Sequence, residues 1–154
     1  MISSAIHNIS SEVKVTVGSW SYIASSSRYG NTNIWSDASL YAAGGHRNGV
    51  LDYYQIHYYN WAYPDYSPFL YDASYWLADD KPHVIGEFPN NPIPYEADLS
   101  TGYCYEQLYR GGYAGAWGWC YNCLQDSEDF NRESYLENME YMWSAYGVNG
   151  WPQV

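Results

Sequence analysis

Positive charge is scarce in this sequence: 6 Lys plus Arg stand against 17 Asp plus Glu in 154 residues, a formal net charge of −11. A polyanion would meet repulsion over almost the whole surface, so neither nucleic acid nor an anionic membrane is an expected partner. No apolar run approaches the ~18 residues needed to cross a bilayer. The opening segment, MISSAIHNISSEV, has neither the basic start nor the continuous apolar stretch of a secretory signal. Cysteine is rare and odd in number: Cys104, Cys120 and Cys123. Cys120-Tyr-Asn-Cys123 has a redox- or zinc-like spacing, but no second Cys or His pair lies near it. No metal or other cofactor is therefore expected, and the set reads as a free thiol or one disulfide.

Phenylalanine is also sparse, with 3 Phe against 20 Tyr and 8 Trp, although apolar residues make up 47% of the chain. That apolar share rules out compositional disorder. Tyr and Trp carry a flat apolar face and a polar tip, which suits wet, sugar-like or protein-like partners; the competing reading is that much of this aromatic content simply packs. The length fits one domain, residues 1–154, with one core.

Four apolar runs read as strands: VKVTVGSWS (13–21), VLDYYQIHYYNW (50–61), HVIGEF (83–88) and YAGAWGWCYN (113–122). After the last of them, NRESYLENMEYMWSAYG predicts a helix, with Leu136, Met139, Met142, Trp143 and Tyr146 as its packed stripe and Gly147 as its stop. STGYCYEQLYRGG predicts a second, capped by Ser100 or Thr101 and stopped by Gly111-Gly112. Residues 67–80 and 36–45 are further helix candidates, and 25–33 is a loop. Strand, loop, helix, strand, repeated, is the pattern of βα units around a parallel sheet, whose strands present their C-terminal ends to the ligand side. Each run ends in chemically capable residues: Trp20; His57, Tyr58 and Tyr59; Glu87; Trp119 and Tyr121. Asp52 lies near the opposite end of its run from His57 and reads as structural. Asn8-Ile9-Ser10 fits the N-glycosylation pattern, a three-residue match of low specificity.

The phrases VTVGSWS, GVLDYYQIHYYNW, DKPHVIGEFP and GGYAGAWGWCYN, in that order and spacing, resemble the last four strands of glycoside hydrolase family 5 (clan A), especially its mannan endo-1,4-β-mannosidase-like members. The resemblance runs from about residue 5 to about residue 146. It implies an α/β fold: the C-terminal half (about strands five to eight) of a TIM (β/α)8 barrel, with parallel strands and flanking helices. It implies that Glu87 is the catalytic nucleophile of a retaining glycosidase. His57 and Tyr59 match the His-x-Tyr of the preceding strand, the phenol reaching the nucleophile and the His helping to hold substrate or the acid/base. Trp119 matches the aromatic sugar platform; Trp117, two residues earlier on the same strand face, ranks second. Trp20, Trp61 and Tyr121 are further sugar contacts to test, with packing under a loop the competing reading for Trp20 and Trp61. A β-linked polysaccharide or oligosaccharide is the implied ligand, and an extracellular setting the implied location.

The proton donor of that family is a Glu directly after an Asn at the end of the fourth strand, and no Asn-Glu occurs in this sequence. The Arg of the first strands and the His before the donor are absent too. By this resemblance the chain begins in the helix after the fourth strand and carries half a barrel. A single copy is then expected to be a poor catalyst, because general-acid help is worth about a hundred- to ten-thousand-fold. Half a parallel barrel also leaves open edges, so a partner is expected: a second copy, an N-terminal half-barrel, or a polymer of like subunits. Two other readings stand beside the hydrolase: a non-catalytic carbohydrate-binding or structural, self-assembling protein, and an open α/β domain of unrelated function.

Overall fold

The computed structural model describes residues 2–89, 101–119 and 132–147. Its four strands are β1 (Gly18–Ser19), β2 (Tyr54–His57), β3 (His83–Pro89) and β4 (Gly115–Trp119). They form one sheet in the order β1-β2-β3-β4, every pair parallel. The helices are α1 (Ile2–Ile9), α2 (Asp37–Ala42), α3 (Thr101–Arg110) and α4 (Arg132–Tyr146). This sequentially ordered parallel sheet with flanking helices is the arrangement of successive βα units.

Local chemistry sets the helix boundaries. Ser36, in extended backbone, caps α2 by accepting from the Ser39 amide at 3.2 Å. Helix α3 ends at Gly112 (φ +77) and α4 at Gly147 (φ +62), left-handed positions that glycine adopts without steric cost.

Register separates the two faces of the sheet. Ser19, Ile56, Ile85 and Ala116 form one row across the four strands, and Gly18, Gln55, Val84 and Gly115 form the next row, on the opposite face. The first face carries the core: Ile56, Tyr58, Ile85 and Phe88 pack with Tyr22, Phe69, Trp76, Cys104, Tyr105, Leu108, Tyr113 and Met142. Tyr22 stacks on Trp76 at 3.9 Å and 4°. The Trp76 indole N–H donates to the Tyr113 hydroxyl at 2.8 Å, which donates to the Tyr71 carbonyl at 2.8 Å. Tyrosine suits this core: the rings of Tyr22, Tyr105 and Tyr113 fill volume while their hydroxyls meet His83 Nδ1, the Gly118 amide and the Tyr71 carbonyl.

Three expectations are corrected. Residues 67–80 do not form an α-helix; they hold only a single 3₁₀ turn, Ala73–Trp76, ended by Leu77 at φ 54. Long-range bonds win there: the carbonyls of Tyr75 and Trp76 accept from Arg28 Nη1 and Ser26 Oγ, and the Ala73 amide donates to the Gly111 carbonyl, which leaves no helical ladder. The 13–21 run pairs as a strand only at Gly18–Ser19, because Val15 gives its amide to the Asp52 carboxylate at 2.7 Å. On α4, Met142 is buried and Met139 and Tyr146 are packed, but Trp143 is 63% exposed. The helix rests on α3 through a narrower stripe than the sequence pattern suggested.

Two histidines are structural. His83, buried at the start of β3, contacts Tyr22 Oη at 3.0 Å and the Ala78 carbonyl at 2.9 Å. Burial pushes its pKa below 6.5, so the neutral ring accepts at Nδ1 and donates at Nε2. His7 ties α1 to the approach of β2: Nδ1 meets the Asn48 carbonyl at 2.9 Å and Nε2 the Asp52 carboxylate at 2.9 Å. With acceptors at both nitrogens, led by the Asn48 carbonyl, its pKa is raised. Burial works to raise the Asp52 pKa, but the Val15 amide, His7 and Lys14 bring it down overall. Asp52 is thus held in a structural cluster.

Candidate active site

The face opposite the core is where the barrel interior would lie. On β2, Tyr54, Ile56 and Tyr58 are buried on the core side, which sends Gln55, His57 and Tyr59 to the other face. Strand β3 departs from simple alternation. Ile56 pairs with Ile85 but His57 pairs with Glu87, and on the other edge Ile85 pairs with Ala116 while Phe88 pairs with Gly118. One extra residue therefore sits in β3 relative to both neighbours. With Ile85 and Phe88 both in the core, this bulge turns the Glu87 carboxylate inward, where plain alternation would send it outward.

The carboxylate arrives between two partners. The Tyr59 hydroxyl donates to Glu87 Oε2 at 2.8 Å, and His57 Nδ1 lies 3.3 Å from Glu87 Oε1. Both the Glu87 and His57 side chains retain about a fifth to a quarter of their exposure, at 22% and 25%, so the site opens to solvent. His57 Nε2 lies 3.3 Å from Gln55 Nε2. Two strand glycines make this packing possible. A Cβ on Gly18 would sit 2.7 Å from His57 Nε2, and one on Gly86 would sit 2.4 Å from Gln55 Nε2.

Tryptophans line the same rim. Trp117 and Trp119 share one face of β4 and are 51% and 46% exposed; Trp119 pairs in register with Pro89, two residues beyond Glu87. Trp20, just after β1, and Trp61, just after β2, stack on each other at 5.0 Å and 23° while remaining 58% and 54% exposed. These indoles keep open faces to solvent at the C-terminal ends of neighbouring strands. Tyr121, Cys120 and Cys123 lie outside the described residues. Asn8 lies exposed on α1, where its side-chain oxygen accepts from Asn48 Nδ2 at 3.2 Å.

Sequence reasoning thus located Glu87, His57 and Tyr59, which the structure brings together. It missed Gln55, Gly18 and Gly86. The available signals were Gln-x-His on an alternating strand and a glycine immediately before the carboxylate, where a strand interior ordinarily disfavours one.

A carboxylate gripped by a phenol and an imidazole at the C-terminal ends of parallel strands, rimmed by exposed indoles, defines the class as a βα-unit protein with a polar, aromatic-lined site at its strand ends. The comparisons narrow that class. The chain is 35% identical over 150 residues to a mannan endo-1,4-beta-mannosidase of Cryptopygus antarcticus, a match covering 96% of the chain and 37% of the relative. It superposes on the X-ray structure of beta-mannanase from the blue mussel Mytilus edulis with a TM-score of 0.78 at 35% identity, over 92% of the chain and 38% of the mussel protein. The crystal structure of endo-1,4-beta-mannanase from Eisenia fetida gives a TM-score of 0.78 at 35% identity, over 91% and 38%. No protein-family model matches the sequence. The chain is therefore homologous to these mannanases over nearly all of its own length, as part of the same (β/α)8 barrel, and spans less than two fifths of the length of these relatives.

Proposed function

We propose that this chain supplies the nucleophile side of a retaining β-1,4-mannanase-like active site. Glu87 is the nucleophile: one carboxylate oxygen attacks the anomeric carbon, the glycosidic C–O bond breaks, and a glycosyl ester forms that water then hydrolyses. Tyr59 and His57 hold the two carboxylate oxygens, and Trp119, with Trp117 beside it, offers a face on which a sugar ring stacks. The observation that carries this reading is the double grip on Glu87 at the mouth of the sheet. The proton for the leaving oxygen comes from a carboxylic acid on a partner or on a segment preceding these strands. Among the described residues β1 and β4 each have one unpaired edge, where a complementary half-barrel or a second copy would add. The substrate is a β-linked mannan or a related polysaccharide.

An activated aryl β-mannoside tests the nucleophile by itself, because a dinitrophenolate leaves without a proton. The expected outcome is a burst of phenolate and a glycosyl adduct on the peptide holding Glu87, both lost in Glu87→Gln. An adduct elsewhere, or equal release by Glu87→Gln, refutes the assignment.

A second reading, a non-catalytic carbohydrate-binding or structural protein, draws support from the four half-exposed tryptophans, which need no acid to bind sugar. Manno-oligosaccharide binding that survives Glu87→Gln, weakens in Trp119→Ala, and is accompanied by no phenolate release favours it.

A further inference from the structure

The best-defined contact that the proposed chemistry leaves unused lies beneath the carboxylate. Gln55 sits one step below His57 on the same face of β2, with its amide nitrogen 3.3 Å from His57 Nε2. The other ring nitrogen, Nδ1, lies 3.3 Å from a Glu87 oxygen. An ionised carboxylate only accepts, so the proton in the His57–Glu87 contact belongs to Nδ1. A neutral imidazole then carries a bare Nε2, which accepts from the Gln55 amide. The glutamine thus stabilises the Nδ1–H tautomer, the less favoured form of a free imidazole. Its own position is fixed from two sides. A methyl at Gly86 would overlap Gln55 Nε2, Cγ and Cδ at 2.4–2.6 Å, and a methyl at Gly18 would overlap His57 Nε2 and Cε1 at 2.7 and 2.9 Å. The Gln55–His57 pair therefore fills the gap between β1 and β3 with no slack at either end.

We propose that Gln55 is a positioning residue that sets the tautomer and ring plane of His57, and through it the orientation of Glu87. This deepens the glycosidase reading and depends on it for its catalytic meaning, whereas the tautomer itself is a property of the chain alone.

Two-bond nitrogen–proton correlations in the imidazole rings report the tautomer directly. With four histidines in the sequence, His57 is assigned by difference against His57→Asn. In the unsubstituted protein at neutral pH, Nδ1 carries the proton and Nε2 is bare. Gln55→Ala shifts the tautomer ratio toward Nε2–H by about fivefold, the leverage of one ordinary hydrogen bond. Gln55→Glu puts an acceptor at Nε2, so both nitrogens face carboxylates and the ring moves toward the form protonated at both. A protein whose His57 is Nε2–H or doubly protonated at neutral pH overturns the proposal. So does a tautomer ratio that neither substitution moves while the fold, read by circular dichroism, is intact. A Gln55-dependent Nδ1–H tautomer in a chain that forms no Glu87 adduct would uphold the positioning and refute the glycosidase reading. The adduct with an insensitive tautomer would do the reverse.

Discussion

Gly86→Ala probes the tightest point of the site. The added Cβ would stand 2.4 Å from Gln55 Nε2, 2.5 Å from Cγ and 2.6 Å from Cδ. Unstrained carbon contacts lie near ~3.5–4.0 Å, so Gln55 must retreat by about 1 Å. A glutamine tip in open space would do so freely. Here His57 and Gly18 occupy the far side, and the retreat breaks the 3.3 Å contact with His57. Overpacking of this kind costs about 1–3 kcal/mol. The lower entropy of the unfolded Ala chain returns about 0.4–1 kcal/mol, since Gly86 has no positive φ. The net destabilisation is thus about 0–2.6 kcal/mol, up to several degrees in Tm for a chain of this length. In a Gln55→Ala background the overlap disappears, and Gly86→Ala becomes neutral or slightly stabilising. Urea unfolding of the four members of this double-mutant cycle should yield a coupling of about 1–3 kcal/mol. If Gly86→Ala costs the same with and without the glutamine side chain, the methyl meets something other than Gln55, and the account of the bulge fails.

Two pH effects of opposite sign follow from the structural histidines. Burial lowers the His83 pKa below 6.5, so the unfolded chain takes up its proton first as pH falls. The contribution is complete above 6.5 and declines as pH drops toward the folded value; His83→Gln should flatten that slope in unfolding midpoints measured from about pH 8 to about pH 5. The His7 pKa is raised, chiefly by the Asn48 carbonyl and then by Asp52. Its contribution is complete below 6.5 and is lost as pH rises through the elevated value, so Asp52→Asn should weaken that alkaline decline and increase the proteolytic release of α1 near neutrality.

Local signals carried much of the fold. Gly112 and Gly147 end their helices in the left-handed region, and Ser36 caps α2, because caps depend on neighbours within one turn. The HVIGEF run becomes β3 almost unchanged, being β-branched and bounded by turn-forming residues. The 67–80 segment was not legible in the same way: its helical pattern yields to bonds from Arg28, Ser26 and Gly111, partners distant in sequence. Trp143 likewise fits the stripe of α4, yet stays exposed because the width of that stripe is set by α3.

That a carboxylate, an imidazole, a phenol and an indole close successive buried strands is legible in the chain, because apolar runs and their boundaries are local properties. Their meeting depends on how the strands pair. A one-residue bulge in β3 reverses the side to which Glu87 points, and bulges arise from pairing between strands. Plain alternation would have turned the same carboxylate to the core face that holds Ile85. Two glycines on separate strands, bare so that Gln55 and His57 can fit between them, hold the arrangement in register.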